Sequence, residues 1–205
     1  MNVSRLLGLI VLLIALAPVA RAQGYEYPLT SEAIREAYFL GIGPQAKQSD
    51  FVDSYAYSFH MPNTDLPGSL ITIETPFLQV VERASRAPNY DAQAAVKEFF
   101  DKPAVFRVYA DIYYRPRHPG SADENANQGS VSLRVKQNGK QIVPDSTDRW
   151  DLTVFRDAGT GAVSIGEHVQ FEFNAGKIGA SPLAIKVSTS DDQSAEATFD
   201  LSAIR

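Results

Sequence analysis

The chemistry open to this chain is bounded by three histidines, His60, His118 and His168, and by the complete absence of cysteine. No two of the histidines fall at HxH, HxxxH or HExxH spacing, the patterns that set two ligands on one face of a strand or helix. A histidine metal centre is therefore not expected; His118 is read as a loop residue, and His60 and His168 as ordinary strand residues. Without cysteine there is no thiolate zinc site, no thiol nucleophile and no disulfide framework. A serine triad needs an exposed serine backed by histidine and carboxylate, and no GxSxG elbow is present. Asp157-Ala-Gly159-Thr-Gly161 lacks the strand–turn–helix context of a phosphate loop and reads as a hairpin turn.

Carboxylates and one basic patch remain. Asp123-Glu124 and Asp191-Asp192 are adjacent acidic pairs, and the oxygen-rich run from Asp123 to Asn127 has the make-up of a loose Ca²⁺ loop. It lacks the DxDxDG order, so solvated turns are the expectation and no cofactor is assigned. Asp53, Glu74 and Asp111 lie in strand-like runs. As a hydrolytic pair they would need two carboxyls roughly 5–10 Å apart in a cleft. Tyr113, Tyr114, Arg115, Arg117 and His118 form the one locally basic and aromatic patch. It could contact an acidic glycan or a protein partner, or simply be a strand end with snorkelling arginines.

What positions these groups begins with an address. Arg5, the apolar run from Leu6, Pro18 and Ala20-Arg21-Ala22 have the composition of a secretory signal peptide cleaved after Ala22. The run is shorter than the about 20 residues a spanning helix needs, and no later stretch is apolar enough to cross a bilayer. The expected location is the periplasm or the exterior. The remaining 183 residues carry 17 Lys and Arg against 24 Asp and Glu, a balance of −7. An acidic exported chain lacks the basic footprint of a nucleic-acid binder.

The pattern is mostly one of alternation. Val105 to Arg115 is the longest run of period two, with Phe106, Val108, Ala110 and Ile112 on one face, and reads as a central strand. Phe51 to His60, Leu70 to Glu74 and Phe77 to Glu82 read as further strands. From Ser130 onward short strands alternate with turn signals: Val131 to Lys136, Gln141 to Val143, Trp150 to Phe155, Val169 to Phe173, Leu183 to Val187 and Ala197 to Ala203. Asn138-Gly139 marks a type I′ turn, and the sole tryptophan, Trp150, is expected in the core. Two short helices complete the reading. One follows Thr30 or Ser31 with Gly41 as its C-cap; the other, near 91–101, follows Asp91 and sets Phe99 and Phe100 on the sheet or over one end of it.

The run Tyr27-Pro28-Leu29 through Phe39-Leu40-Gly41 resembles the start of exported bacterial proteins of unknown function, a resemblance that carries no activity. The fold class is thus mainly β: an antiparallel β-sandwich, immunoglobulin-like or similar, with two short helices in the N-terminal half. Residues 1–22 are the signal, 23–50 an extension with a short helix, and 51–205 the sandwich domain. All nine tyrosines lie at or before Tyr114, which puts any recognition surface on the N-terminal part. The expected function is a non-catalytic binding, accessory or envelope-assembly module with a protein or glycan partner. The alternative is a carboxylate-dependent hydrolase acting on an envelope or environmental polymer through Asp53, Glu74 or Asp111.

Overall fold

A computed structural model describes residues 24–60, 68–101, 103–113, 131–155, 162–189 and 193–205. The leader, Tyr114 to His118, and both acidic pairs at Asp123-Glu124 and Asp191-Asp192 lie outside the described residues. The order of elements is α1 (Ser31–Gly41), α2 (Gln45–Asp53), β1 (Ala56–Phe59), β2 (Ser69–Glu74), α3 (Pro76–Arg86), α4 (Ala92–Asp101), β3 (Val105–Tyr113), β4 (Ser132–Gln137), β5 (Lys140–Ile142), β6 (Ser146–Phe155), β7 (Ala162–Asn174), β8 (Leu183–Ser188) and β9 (Ser194–Phe199).

The strands form two antiparallel sheets. One has five strands in the order β1-β2-β3-β7-β6, the other four in the order β5-β4-β8-β9. The 105–113 strand is the middle of the larger sheet, as its uninterrupted alternation predicts. Phe106, Val108, Ala110 and Ile112 have no exposed surface, and each sits on the face opposite Arg107, Tyr109 and Asp111. Register carries the apolar face outward from there: Ile71 pairs with Ala110 and Ile73 with Val108 on one side, Phe173 with Phe106 and Phe171 with Val108 on the other. In the smaller sheet Leu133, Val135, Ile185, Val187 and Phe199 are buried in the same way, and all of these side chains belong to one continuous core cluster. Asn138 and Gly139 both have positive φ, 52° and 74°, as a type I′ hairpin requires.

The helices differ from expectation more than the strands do. Four are present among the described residues rather than two. Phe77 to Glu82 is α3, not a strand. Its run of Phe, Leu and Val suits either state, but Thr75 accepts a hydrogen bond from the Leu78 amide (3.2 Å) and Pro76 occupies the first turn. That is a helix start with its cap in place, and Phe77, Val80, Val81 and Ala84 then fall on one buried face. Residues 51–53 end α2, leaving only Ala56–Phe59 as strand. Phe51 and Tyr55, four residues apart, turn to the same side, with ring centroids 5.0 Å apart and Phe51 5.8 Å from Phe77. Aromatics at every second position had imitated a strand. The last strand stops at Phe199, and Leu201 is buried in a turn.

The two expected helices form with their expected N-caps. Thr30 accepts from the Ala33 amide at 3.1 Å, and Asp91 from the Gln93 and Ala94 amides at 2.9 and 2.7 Å. Gly41 is not the C-cap, a place taken by Ile42. A Cβ on Gly41 would lie 2.3 Å from the Val81 carbonyl oxygen, so glycine there permits close contact between α1 and α3. Phe99 joins the core margin, whereas Phe100 is 64% exposed. Tyr25 ties the start of the described chain to its end: its amide donates to the Leu201 carbonyl (2.7 Å) and its hydroxyl to the Ala175 carbonyl (2.9 Å). Among the described residues no helix is long and apolar enough to cross a membrane.

Candidate functional site

The outward face of the five-stranded sheet carries an ordered set of polar and aromatic side chains. Because side chains alternate, every residue paired across β2, β3, β7 and β6 with Arg107, Tyr109 or Asp111 lies on this face. The pairing gives three cross-strand rows: Glu74, Arg107, Glu172 and Ser146; then Thr72, Tyr109, Gln170 and Asp148; then Leu70, Asp111, His168 and Trp150.

The first row is an ion-pair chain. Arg107 donates from Nη1 to Glu74 (3.0 Å) and from Nε to Glu172 (2.7 Å). The Ser146 hydroxyl donates to Glu172 at 3.1 Å, and the Gln170 amide donates to the same carboxylate at 3.2 Å. The Tyr109 hydroxyl reaches back to Glu74 at 2.7 Å. These contacts set the protonation states. The Arg107 hydrogen bond holds the Glu172 carboxyl below its ordinary value. Burial, reinforced by the Glu74 carboxylate, raises the Tyr109 phenol and keeps it neutral. Burial opposes the charge on Arg107, but the two carboxylates outweigh it and its pKa rises.

The third row is built on stacking. His168 Nδ1 lies 2.5 Å from an Asp111 carboxylate oxygen. That carboxylate selects the tautomer with its proton on Nδ1. Nε2 is buried and has no hydrogen-bond partner among the described residues. Trp150 lies nearly parallel on the imidazole, with centroids 3.9 Å apart at 15°, and Tyr109 tilts against it at 5.8 Å. The tryptophan is therefore not a core residue. It is 49% exposed, because its position on β6 is in register with His168 and Asp111 on the outward face and not with Val169 on the inward one.

A cleft of about 270 Å³ adjoins the first row, lined by Glu74, Gln79, Glu82, Arg83, Arg86, Glu98, Phe99 and Arg107. Its acidic groups are matched by guanidinium groups: Glu74 by Arg107 (3.0 Å), Glu82 by Arg86 (2.8 Å) and Glu98 by Arg83 (3.7 Å). Burial pushes the Glu82 carboxyl up despite Arg86.

The residues expected from sequence are dispersed. Asp53 is exposed at the end of α2. Glu74 and Asp111 share the outward face, but their rows are four residues apart along the strand, about 13 Å at strand rise, too far for a carboxyl pair about a single bond. Tyr113 lies on the same face, half-buried and paired with Gly166; Arg115, Arg117 and His118 are outside the described residues. His60 is exposed just past β1, whereas His168 is no ordinary strand residue, being held by Asp111 and covered by Trp150. Sequence reasoning missed His168, Trp150, Arg107 and Glu172 as a group. The available signal was the polar half of each alternating strand, which becomes informative only once strand order is known. No family model, curated protein or solved structure matches the chain.

Proposed function

We propose that this protein is an exported, non-catalytic binding module. In this reading the two sheets pack as an antiparallel sandwich, and the outward face of the larger one is the contact surface. One observation carries it: Trp150 stands half exposed on a sheet face, its ring seated on an imidazole that Asp111 holds in place. A large aromatic left in water yet fixed from beneath loses little conformational freedom when a partner covers it, which is the property of an interface anchor. The polar groups around it are already oriented by one another, so they meet a partner without reorganisation. The leader composition, Arg5 followed by the apolar run from Leu6 and by Ala20-Arg21-Ala22, supports the export part of this reading.

The test has two parts. The full chain is expressed with its leader, and the N-terminus of the exported product is sequenced; the reading expects Gln23 as the first residue. The processed protein is then used to capture partners from envelope extract, in parallel with Trp150→Ala. Capture that survives the substitution unchanged removes the face from its proposed role.

A second reading, a carboxylate-dependent hydrolase, is favoured by the cleft holding Glu74, Glu82 and Glu98, where burial keeps Glu82 closer to its acid form. It requires release of new chain ends from a polymer by the wild type and loss of that release in Glu82→Gln.

A further inference from the structure

We infer that the ligand of this face is an uncharged glycan chain, one of whose sugar rings lies on the free side of Trp150. The inference rests on the binding-module reading above and names the class of ligand. Three observations lead to it. The first is shape. The face is a grid of side chains about 4.8 Å apart across strands and about 6.8 Å apart along them, open at Ser146, Asp148 and Trp150, all exposed. A sugar ring presents a flat, C–H-rich side that packs on an aromatic face, together with a rim of hydroxyls.

The second is the chemistry around the ring. Asp148 is next but one to Trp150 on β6, and Gln170 stands across from Asp148 on β7. Carboxylate and amide side chains are the groups that accept from and donate to paired hydroxyls. Glu172 and Gln170 are fixed by their own hydrogen bond, at 3.2 Å.

The third, charge, decides between partners. Among the described residues, the three rows carry the carboxylates of Glu74, Asp111, Asp148 and Glu172 against one guanidinium, that of Arg107, so a polyanion is repelled. A basic peptide finds little to pair with. Glu74 and Glu172 are both taken by Arg107, and Asp111 by His168. Among the described residues of this face, Asp148 alone is a carboxylate engaged by neither Arg107 nor His168. What remains is an array of oriented dipoles around one aromatic platform, which complements hydroxyl groups rather than net charge.

Trp150 is the sole tryptophan, so tryptophan emission, excited at the red edge where tyrosine does not absorb, reports on this site. The processed protein is titrated with three sets of probes: neutral oligosaccharides (cellopentaose, maltopentaose and penta-N-acetylchitopentaose), an acidic polysaccharide (polygalacturonate) and poly-lysine. The expected result is a saturable change in emission with at least one neutral oligosaccharide and none with polygalacturonate. Calorimetry of the same ligand should show at least a tenfold weaker affinity for Trp150→Ala and substantial recovery in Trp150→Tyr. Binding of poly-lysine or polygalacturonate alone, lost in Trp150→Ala, overturns the glycan assignment and leaves the face as a binding surface. Ligand binding of equal strength in wild type and Trp150→Ala overturns both. Silence toward all three neutral oligosaccharides overturns the glycan assignment.

Discussion

The two sheets obey the same alternation and use their outward faces differently. In the four-stranded sheet the outward rows are Ser132, Ser188 and Ser194; Arg134, Lys186 and Glu196; and Lys136, Ala184 and Thr198. They contain no aromatic residue, and the long side chains stand exposed in solvent. In the five-stranded sheet the outward rows are half-buried along β3 and β7 and open along β6, and they are joined by the Glu74–Arg107–Glu172 chain and the Asp111–His168–Trp150 stack. A solvated face needs only to be wet, whereas a face whose polar groups hold one another in place has lost freedom that solubility alone does not require. The contrast is what marks the larger sheet's outward face for the proposed binding role.

The comparison can be broken at four levels. The largest effect is expected beneath the faces, where the two sheets are alike. Phe106→Ala removes a fully buried ring in edge contact with Tyr25 (5.7 Å) and should cost about 3–5 kcal/mol in urea unfolding. On the outward face, Arg107→Met takes the guanidinium from Glu74, which is 9% exposed and keeps the Tyr109 hydroxyl, and should cost about 2 kcal/mol. The matching change in the other sheet, Lys186→Met, should stay within about 0.5 kcal/mol. Similar losses at both positions would erase the distinction drawn here.

Glu172→Gln sharpens the contrast through pH. A carboxyl held below its ordinary value of 4.5 in the folded state stabilises the fold above the unfolded pKa and loses that contribution as pH falls through the folded one. The variant should therefore be about 1 kcal/mol less stable at pH 7 and converge with wild type in acid, as read by denaturant unfolding at both ends. The smallest effect on stability belongs to Trp150→Ala, below about 1 kcal/mol for a half-exposed side chain, even as binding is lost. A large drop in stability would return Trp150 to a packing role.

Much of this was legible in advance, and the failures have physical causes. The alternation of Phe106 to Ile112 defined the central strand because nothing else satisfies a period of two so long. Asn138-Gly139 named its own turn. The Phe77 to Glu82 run misled because β-branched and aromatic residues suit a strand, while Thr75-Pro76 in front of it carried the deciding cap. Trp150 misled for a different reason. Alternation says which residues share a face but not which face is inside, and Leu152 beside it suggested the interior. Asp111 and His168 are 57 residues apart, and only the pairing of β3 with β7 brings them together. The polar rows are products of strand order, which local pattern does not contain.

The backbone bond from Tyr25 to Leu201 makes the fold nearly a closed ring. Most of the chain's contacts are thus indifferent to where the polypeptide is cut. A circularly permuted chain, with residue 24 joined to residue 205 by a short linker and new ends opened at the Asn138-Gly139 hairpin, would keep every pairing of the larger sheet. The polar-aromatic surface could then be carried at a chosen point within a longer fusion.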